Sequence, residues 1–289
     1  MRISHQMLHQ NSLANMNKSL GRFDKAYNQA VTGKQIQKPS DDPHGAGKAM
    51  QLKSAIAAND QYERNTNEAN LWLDETDQTV YGMVNVMQRV RELAVQGNND
   101  TLSSEDRTAV AGEVEELTEQ LRQFANVKVN GHYLFNGQDT ANPPFPDGGT
   151  GHGFDTNAKE FTIAGGMKIP ASVTADRLFG SGDDELFAAL GTLSENIRSG
   201  EDVPLEDIDT GIDRLLAVSA EVGVRRNRVE AVSQRIQDSS LQLTSMLSKI
   251  EDVDLAEAIT KLKSEESVYQ ASLSASAKII QPSLMDFLR

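Results

Sequence analysis

From Leu13 onward the apolar residues fall at Leu13, Met16, Leu20, Phe23, Tyr27 and Ala30. Steps alternating between three and four keep them on one helix face, which predicts a narrow-striped helix stopping near Gly33. Pro39, Ser40, Asp41, Asp42 and Pro43 follow. Asp42 is placed to accept the free amide protons of a new helix whose first residue is Pro43, so these five form a helix corner. The next helix is predicted from about Pro43 to Gln96, with Leu73, Thr76, Val80, Met83, Met87, Val90 and Ala94 at the same spacing. Its length, on the order of 75 Å, suits no compact globule, so elongation is expected. Ser103 with Asp106 reads as a capping box for a third helix bearing Val110, Val114, Leu117, Leu121 and Phe124.

The pattern then changes. Asn130-Gly131 and Asn136-Gly137 bracket His132 to Phe135, and Asn-Gly supplies the positive φ of tight hairpin turns. Two strand-like runs follow, Phe161 to Ala164 and Met167 to Val173, among Pro- and Gly-rich connections. Helix returns at Asp184 to Arg198, breaks around Gly200 to Pro204, and resumes in a run where Ile208, Leu215, Val222, Val229, Ile236, Leu243 and Ile250 recur every seven residues. Ile259, Leu262, Tyr269, Leu273, Ile280, Leu284 and Phe287 line a terminal helix.

The expected fold is therefore mainly α: an elongated antiparallel helical bundle or coiled coil built from the N- and C-terminal segments, with a small central β-rich domain. Terminal helices would occupy 1–40 and 255–289, a helical rod 43–137 and 184–254, and a β-rich insert 138–183. Charge supports pairing of the ends. Residues 1–40 carry Arg2, Lys18, Arg22, Lys25, Lys34 and Lys38 against Asp24 alone, whereas Glu251, Asp252, Asp254, Glu257, Glu265, Glu266 and Asp286 outweigh the cations near the other terminus.

Hydrophobic residues make up 38% and aromatics 5%, a composition for narrow helical layers rather than a thick core. The net charge of −14 argues against nucleic acid or an anionic membrane as the main partner, since either needs a basic stripe. The absence of cysteine excludes disulfides and thiolate chemistry. No run of about 18 apolar residues, the length needed to span a bilayer, occurs in the sequence, and the first residues lack the apolar segment of a cleaved signal peptide.

Candidate chemistry is sparse, and no cofactor is expected. His5 and His9 stand four apart, a metal-compatible spacing without a third ligand. The Gly148 to Gly153 stretch opens no helix and reads as a loop rather than a phosphate cradle. Asp41 and Asp42 have a complete explanation as helix-capping carboxylates. His152, Asp155 and Lys159 in the insert form no recognised constellation, which disfavours an enzyme. Trp72, next to the seam position Leu73, is open between edge of core and subunit contact.

Several segments, in order, resemble the flagellin family, and within it the branch that forms the hook-filament junction. They are Met1 to Ser4, Thr32 to Pro43, Arg91 to Gly97, Asn130 to Gly137, Val222 to Glu230, and Tyr269 to Leu273 with Ser283 to Arg289. Residues 138–200 match no motif of that family. The resemblance implies a non-enzymatic structural subunit of the bacterial flagellum, outside the cell, exported through the flagellar type III apparatus with a chaperone guarding its ends. It implies a homo-oligomer in the assembled flagellum, with hook-associated protein 1 on one side and flagellin on the other. The expected assembly interface is the two terminal stripes: Leu13, Met16, Leu20, Phe23 and Tyr27 with Ile259, Leu262, Tyr269, Leu273, Ile280, Leu284 and Phe287. Narrow stripes bury too little alone to order a short helix, so the ends are expected to be mobile in the monomer and to fold on assembly. Two other readings stand beside this one: a minor flagellin that polymerises into filament, and a helical stalk displaying the insert to a ligand.

Overall fold

The computed structural model describes residues 2–99, 102–146, 155–180 and 185–280. In chain order they form α1 (Arg2–Thr32), α2 (Pro43–Gly97), α3 (Ser104–Ala125), β1 (Lys128–Val129), β2 (His132–Tyr133), β3 (Glu160–Ala164), β4 (Met167–Pro170), α4 (Ala175–Phe179), α5 (Glu185–Ser199), α6 (Leu205–Glu251) and α7 (Leu255–Ile280). The fold is mainly helical, as the periodicities predict. Two compact units result, one of residues 1–58 with 240–289, the other of residues 59–239.

In the first unit α1 packs along α7. α1 ends where Gly33 turns to φ 69°, a left-handed conformation that a side chain would resist. A turn closed by the Asp41 amide donating to Lys38 O (2.9 Å) carries Pro39 at its second position, where a fixed φ is an advantage. Asp42 then accepts the His44 amide proton at 3.0 Å and Pro43 opens α2, the corner that the sequence predicts. α7 begins after Asp254, whose Oδ1 accepts the Ala256 amide proton at 2.8 Å.

The second unit is built on four long helical stretches. α2 and α6 run antiparallel, with Arg91 paired to Asp209 at 2.5 Å and Asp74 to Arg226 at 3.1 Å. α3 and α5 are likewise antiparallel, with Arg198 on Glu115 at 2.7 Å and the Arg122 guanidinium over the Phe187 ring. Arg89 joins α2 to Glu113 of α3, and the Phe124 ring lies so close to Gly82 that a Cβ there would stand 3.0 Å from it. α3 starts on the predicted N-cap, with the reciprocal half of the box replaced: the Ser103 hydroxyl accepts the Asp106 amide proton at 3.2 Å, and the Asp106 carboxylate accepts from that hydroxyl at 2.8 Å. Ile208, Leu215, Val222, Val229 and Ile236, the recurring positions of α6 in this unit, are all buried.

The segments between α3 and α5 share that core rather than standing off it. β1 and β2 form a hairpin around Asn130 (φ 51°) and Gly131 (φ 83°), as expected of Asn-Gly. Asn136-Gly137 does something else: the Asn136 side chain donates to Asn142 O and accepts the Asp155 amide proton, pinning two distant backbone segments. A Cβ on Gly137 would fall 2.2 Å from Asp155 O, so the close approach itself requires glycine. β3 pairs antiparallel with β4, and Arg225 of α6 donates to the carbonyls of Pro170 (3.1 Å) and Ser172 (3.2 Å). The short helix α4 has no counterpart in the sequence reading. Trp72 resolves as core at 2% exposure, with the Lys159 ammonium 4.3 Å from its ring.

Candidate assembly surface

Burial along the terminal helices follows heptads, but not quite the ones that bulk predicts. On α1 the sheltered positions are Ser12, Met16, Ser19, Phe23, Ala26 and Ala30, with Ser19 and Ala26 buried and the rest half-buried. On α7 they are Ala258, Leu262, Glu265, Tyr269, Ser272 and Ser276, with Ala258 and Ser276 buried. Each set steps by four and three, so the pair meets along one continuous seam. That seam is built largely of serine and alanine. It is tied by the Ser12 and Ser276 hydroxyls at 2.8 Å, the stacked rings of Phe23 and Tyr269 at 5.9 Å, and Arg22 on Glu265 at 3.1 Å, so the predicted opposite-charge pairing of the ends is present.

Four of the expected stripe residues, Met16, Phe23, Leu262 and Tyr269, are half-buried on this seam. The other large ones sit one residue off it. Leu13, Leu20 and Tyr27, seven apart on α1, are 46%, 43% and 50% exposed, and Ile259 and Leu273 on α7 are 52% and 41% exposed. Residues seven apart share a helix face, so Leu13, Leu20 and Tyr27 form a bulky apolar line beside the small-residue seam, and on α7 Ile259 and Leu273 flank it in the same way with Glu266 between them. The Ile280 side chain, Leu284 and Phe287 lie outside the described residues. A scan for large apolar residues merges seam and flank because it passes over serine and alanine. Ser12, Ser19 and Ala26 at seven-residue spacing were the available signal.

The corner residues meet no ligand-like arrangement. Backbone amides of Lys38 and Gln37 donate to the Asp41 carboxylate, and with Lys25 at 3.3 Å they hold it below its ordinary value of 3.8. A lowered folded-state pKa contributes stability that is complete above the ordinary value and lost as pH falls through the lower one. Accordingly, Asp41→Asn should destabilise the corner at neutral pH and make no difference below the folded-state value. Comparing amide exchange at residues 37–46 in both proteins across an acid titration checks this. A difference that persists unchanged in strong acid would disprove the linkage.

Among the described residues no three His, Asp or Glu side chains cluster to hold a metal ion, and no helix is long and apolar enough to cross a membrane. The His5 and His9 side chains, Gly148 to Gly153 and His152 lie outside the described residues. Asp155 is engaged by the backbone and side chain of Asn157 and by the amide of Gln138, and these bonds hold its pKa below the ordinary value. Lys159 is occupied by Trp72 and by Glu68 at 3.7 Å. Nothing here converges on a substrate.

Comparison with known proteins gives one consistent result. Residues 3–140 match the bacterial flagellin N-terminal helical region and residues 205–288 the bacterial flagellin C-terminal helical region. Flagellar hook-associated protein 3 of Escherichia coli K12 is 27% identical over 95% of this chain and 96% of its own length. Its counterpart from Salmonella typhimurium is 28% identical over 94% and 95%. Among solved structures, a flagellar hook-associated protein from Vibrio parahaemolyticus superposes with TM-score 0.66 at 17% identity, covering 73% of this chain and all of that one.

Proposed function

Because the chain belongs to the flagellin family, we propose that it is the subunit joining hook to filament, with hook-associated protein 1 on the hook side and flagellin on the filament side. It is a structural component of the flagellum, not an enzyme. The observation that carries the assembly mechanism is the division of labour on α1 and α7. The chain pairs its own two ends through small residues and leaves Leu13, Leu20, Tyr27, Ile259 and Leu273 uncovered. A helix with a second apolar line is built to pack on a second neighbour. In the assembled flagellum that neighbour is the terminal helix of an adjacent subunit, and burial of the bulky line supplies the stabilisation that the serine and alanine seam lacks. Full ordering of the ends therefore accompanies assembly. Before then the chain travels through the flagellar export apparatus, its termini held by a chaperone.

Electron microscopy with gold-labelled antibody against residues 59–239 tests the placement. Label confined to the boundary between hook and filament is the expected result. Label distributed along the filament would replace the junction reading with a minor flagellin, and label absent from flagella would end both in favour of a free-standing binding module.

A further inference from the structure

The first unit contains a feature that neither the heptads nor the apolar lines explain. Where α1 gives way to the corner and α6 gives way to α7, the two interruptions lie side by side and are paired. The Gln35 amide donates to Glu251 O at 2.6 Å, the Val253 amide donates to Gly33 O at 3.0 Å, and Lys34 and Asp252 form an antiparallel bridge. The Gln29 side chain, 7% exposed, donates to Gln35 O and braces the same segment from inside α1. Over this short ladder lies the Glu251 carboxylate, its side chain 10% exposed, with Lys53 Nζ of α2 at 2.6 Å and Lys34 Nζ at 3.5 Å.

We infer that this Glu251 clasp sets the axial register of α1 against α7. The seam alone specifies register weakly. Serine and alanine, which fill most of its positions, interlock shallowly, the Phe23 and Tyr269 stack is one half-buried contact, and Ser19, 1% exposed, has no hydrogen-bond partner for its hydroxyl. Arg22 is more than half exposed, so its pair with Glu265 is screened and loosely held. The clasp differs in kind. Its backbone bonds join residues no more than four positions from the end of α1 and the start of α7, and a slide of one heptad would move partners by about 10 Å and break them all. It would also withdraw Lys34 from a carboxylate that is nearly buried, leaving Lys53 as the one remaining cation of the clasp. The observed contacts follow one register outward from the clasp: Lys34 beside Asp252, Arg22 beside Glu265, Ser12 beside Ser276. Register decides how the Leu13, Leu20 and Tyr27 line sits against the Ile259 and Leu273 line. Glu251 is thus a positioning residue for the surface that neighbouring subunits would cover. That last consequence rests on the assembly reading, whereas the register itself does not.

The chain has no cysteine, so paired cysteines report register cleanly. In the full-length purified protein, Ser12→Cys with Ser276→Cys should close a disulfide under mild oxidation. Ser19→Cys with Ser276→Cys, one heptad out of step, should close far less, because a disulfide needs Cα atoms within about 7 Å. Adding Glu251→Gln should lower the ratio of in-step to out-of-step closure by about tenfold or more, with amide exchange in residues 59–239 unchanged. Lys34→Met with Lys53→Met, which leaves the carboxylate unpartnered, should act in the same direction and serves if the glutamine variant does not fold. Equal closure of the two pairs in the parent protein, or a ratio left within about twofold by both sets of changes, overturns the inference. These readouts use isolated chains, so they can fail while the junction placement stands, and the reverse.

Discussion

Leu20→Asp combined with Leu273→Asp is expected to abolish incorporation into flagella while leaving the isolated chain as stable as before. Both leucines are more than two-fifths exposed in the single chain, so their loss removes little intramolecular packing, and surface changes of this kind usually fall within about 0.5 kcal/mol. In an assembly that buries the two-fifths still exposed, each contributes about 0.6–1.2 kcal/mol of apolar transfer. Losing two therefore weakens each subunit contact by about one to two orders of magnitude, before the further cost of placing a carboxylate against apolar neighbours. The contrast with Ser12 or Ala26 is informative, because those residues face the partner helix of the same chain. Sedimentation and thermal unfolding of the purified variant would establish that it is folded. Motility and counts of filament-bearing hooks in cells lacking the native chain would give the assembly result. Normal filaments in that background would mean that the exposed lines of α1 and α7 are not the intersubunit surface.

The features legible in the sequence share a property: each is specified by neighbours within a few residues. Asp42 before Pro43, Ser103 three before Asp106, and Asn130 before Gly131 act through local hydrogen bonds and allowed dihedrals, and all three appear where the sequence places them. Heptads gave the long helices for the same reason. What stayed hidden depends on residues far apart in the chain. Glu251 reads as one acid among many until Lys34 and Lys53 are brought to it, and Trp72 remains ambiguous until Lys159 covers its ring. Side-chain bulk alone does not separate two surfaces: Met16, Phe23, Leu262 and Tyr269 lie on the intrachain seam, whereas Leu13, Leu20, Tyr27, Ile259 and Leu273 lie one residue off it, where the seam's small residues are needed to tell them apart. Asn136-Gly137 carries the same dipeptide as the true hairpin turn, yet Gly137 is required by a backbone that passes from 18 residues further along.

Phe145 lies past the matched N-terminal region, in the stretch 138–200 that carries no motif of the family, and its packing yields the second large expected effect: Phe145→Ala should destabilise the whole unit of residues 59–239 by about 3–5 kcal/mol. Phe145 is fully buried, with its ring centroid 5.1 Å from that of Phe179 in α4 and 4.8 Å from that of Phe187 in α5. Its backbone is held just as firmly, because the Asn126 side chain at the end of α3 donates to Phe145 O at 2.6 Å and accepts the Phe145 amide proton at 3.1 Å. Truncation would open a cavity between the insert and two helices whose remaining rings cannot collapse into it without leaving the shared core. Phe145→Leu, which keeps most of the volume, should cost markedly less. Denaturant unfolding followed both by helical signal and by the fluorescence of Trp72 in α2 separates the possibilities, since a shared core requires the two probes to move together. If Phe145→Ala produced an early, separate transition with the Trp72 signal unmoved, the insert would be folding on its own. Coincident loss would instead make the insert part of the bundle's stability, so that sequence change there is constrained by packing against α3 and α5 even where no family motif is kept.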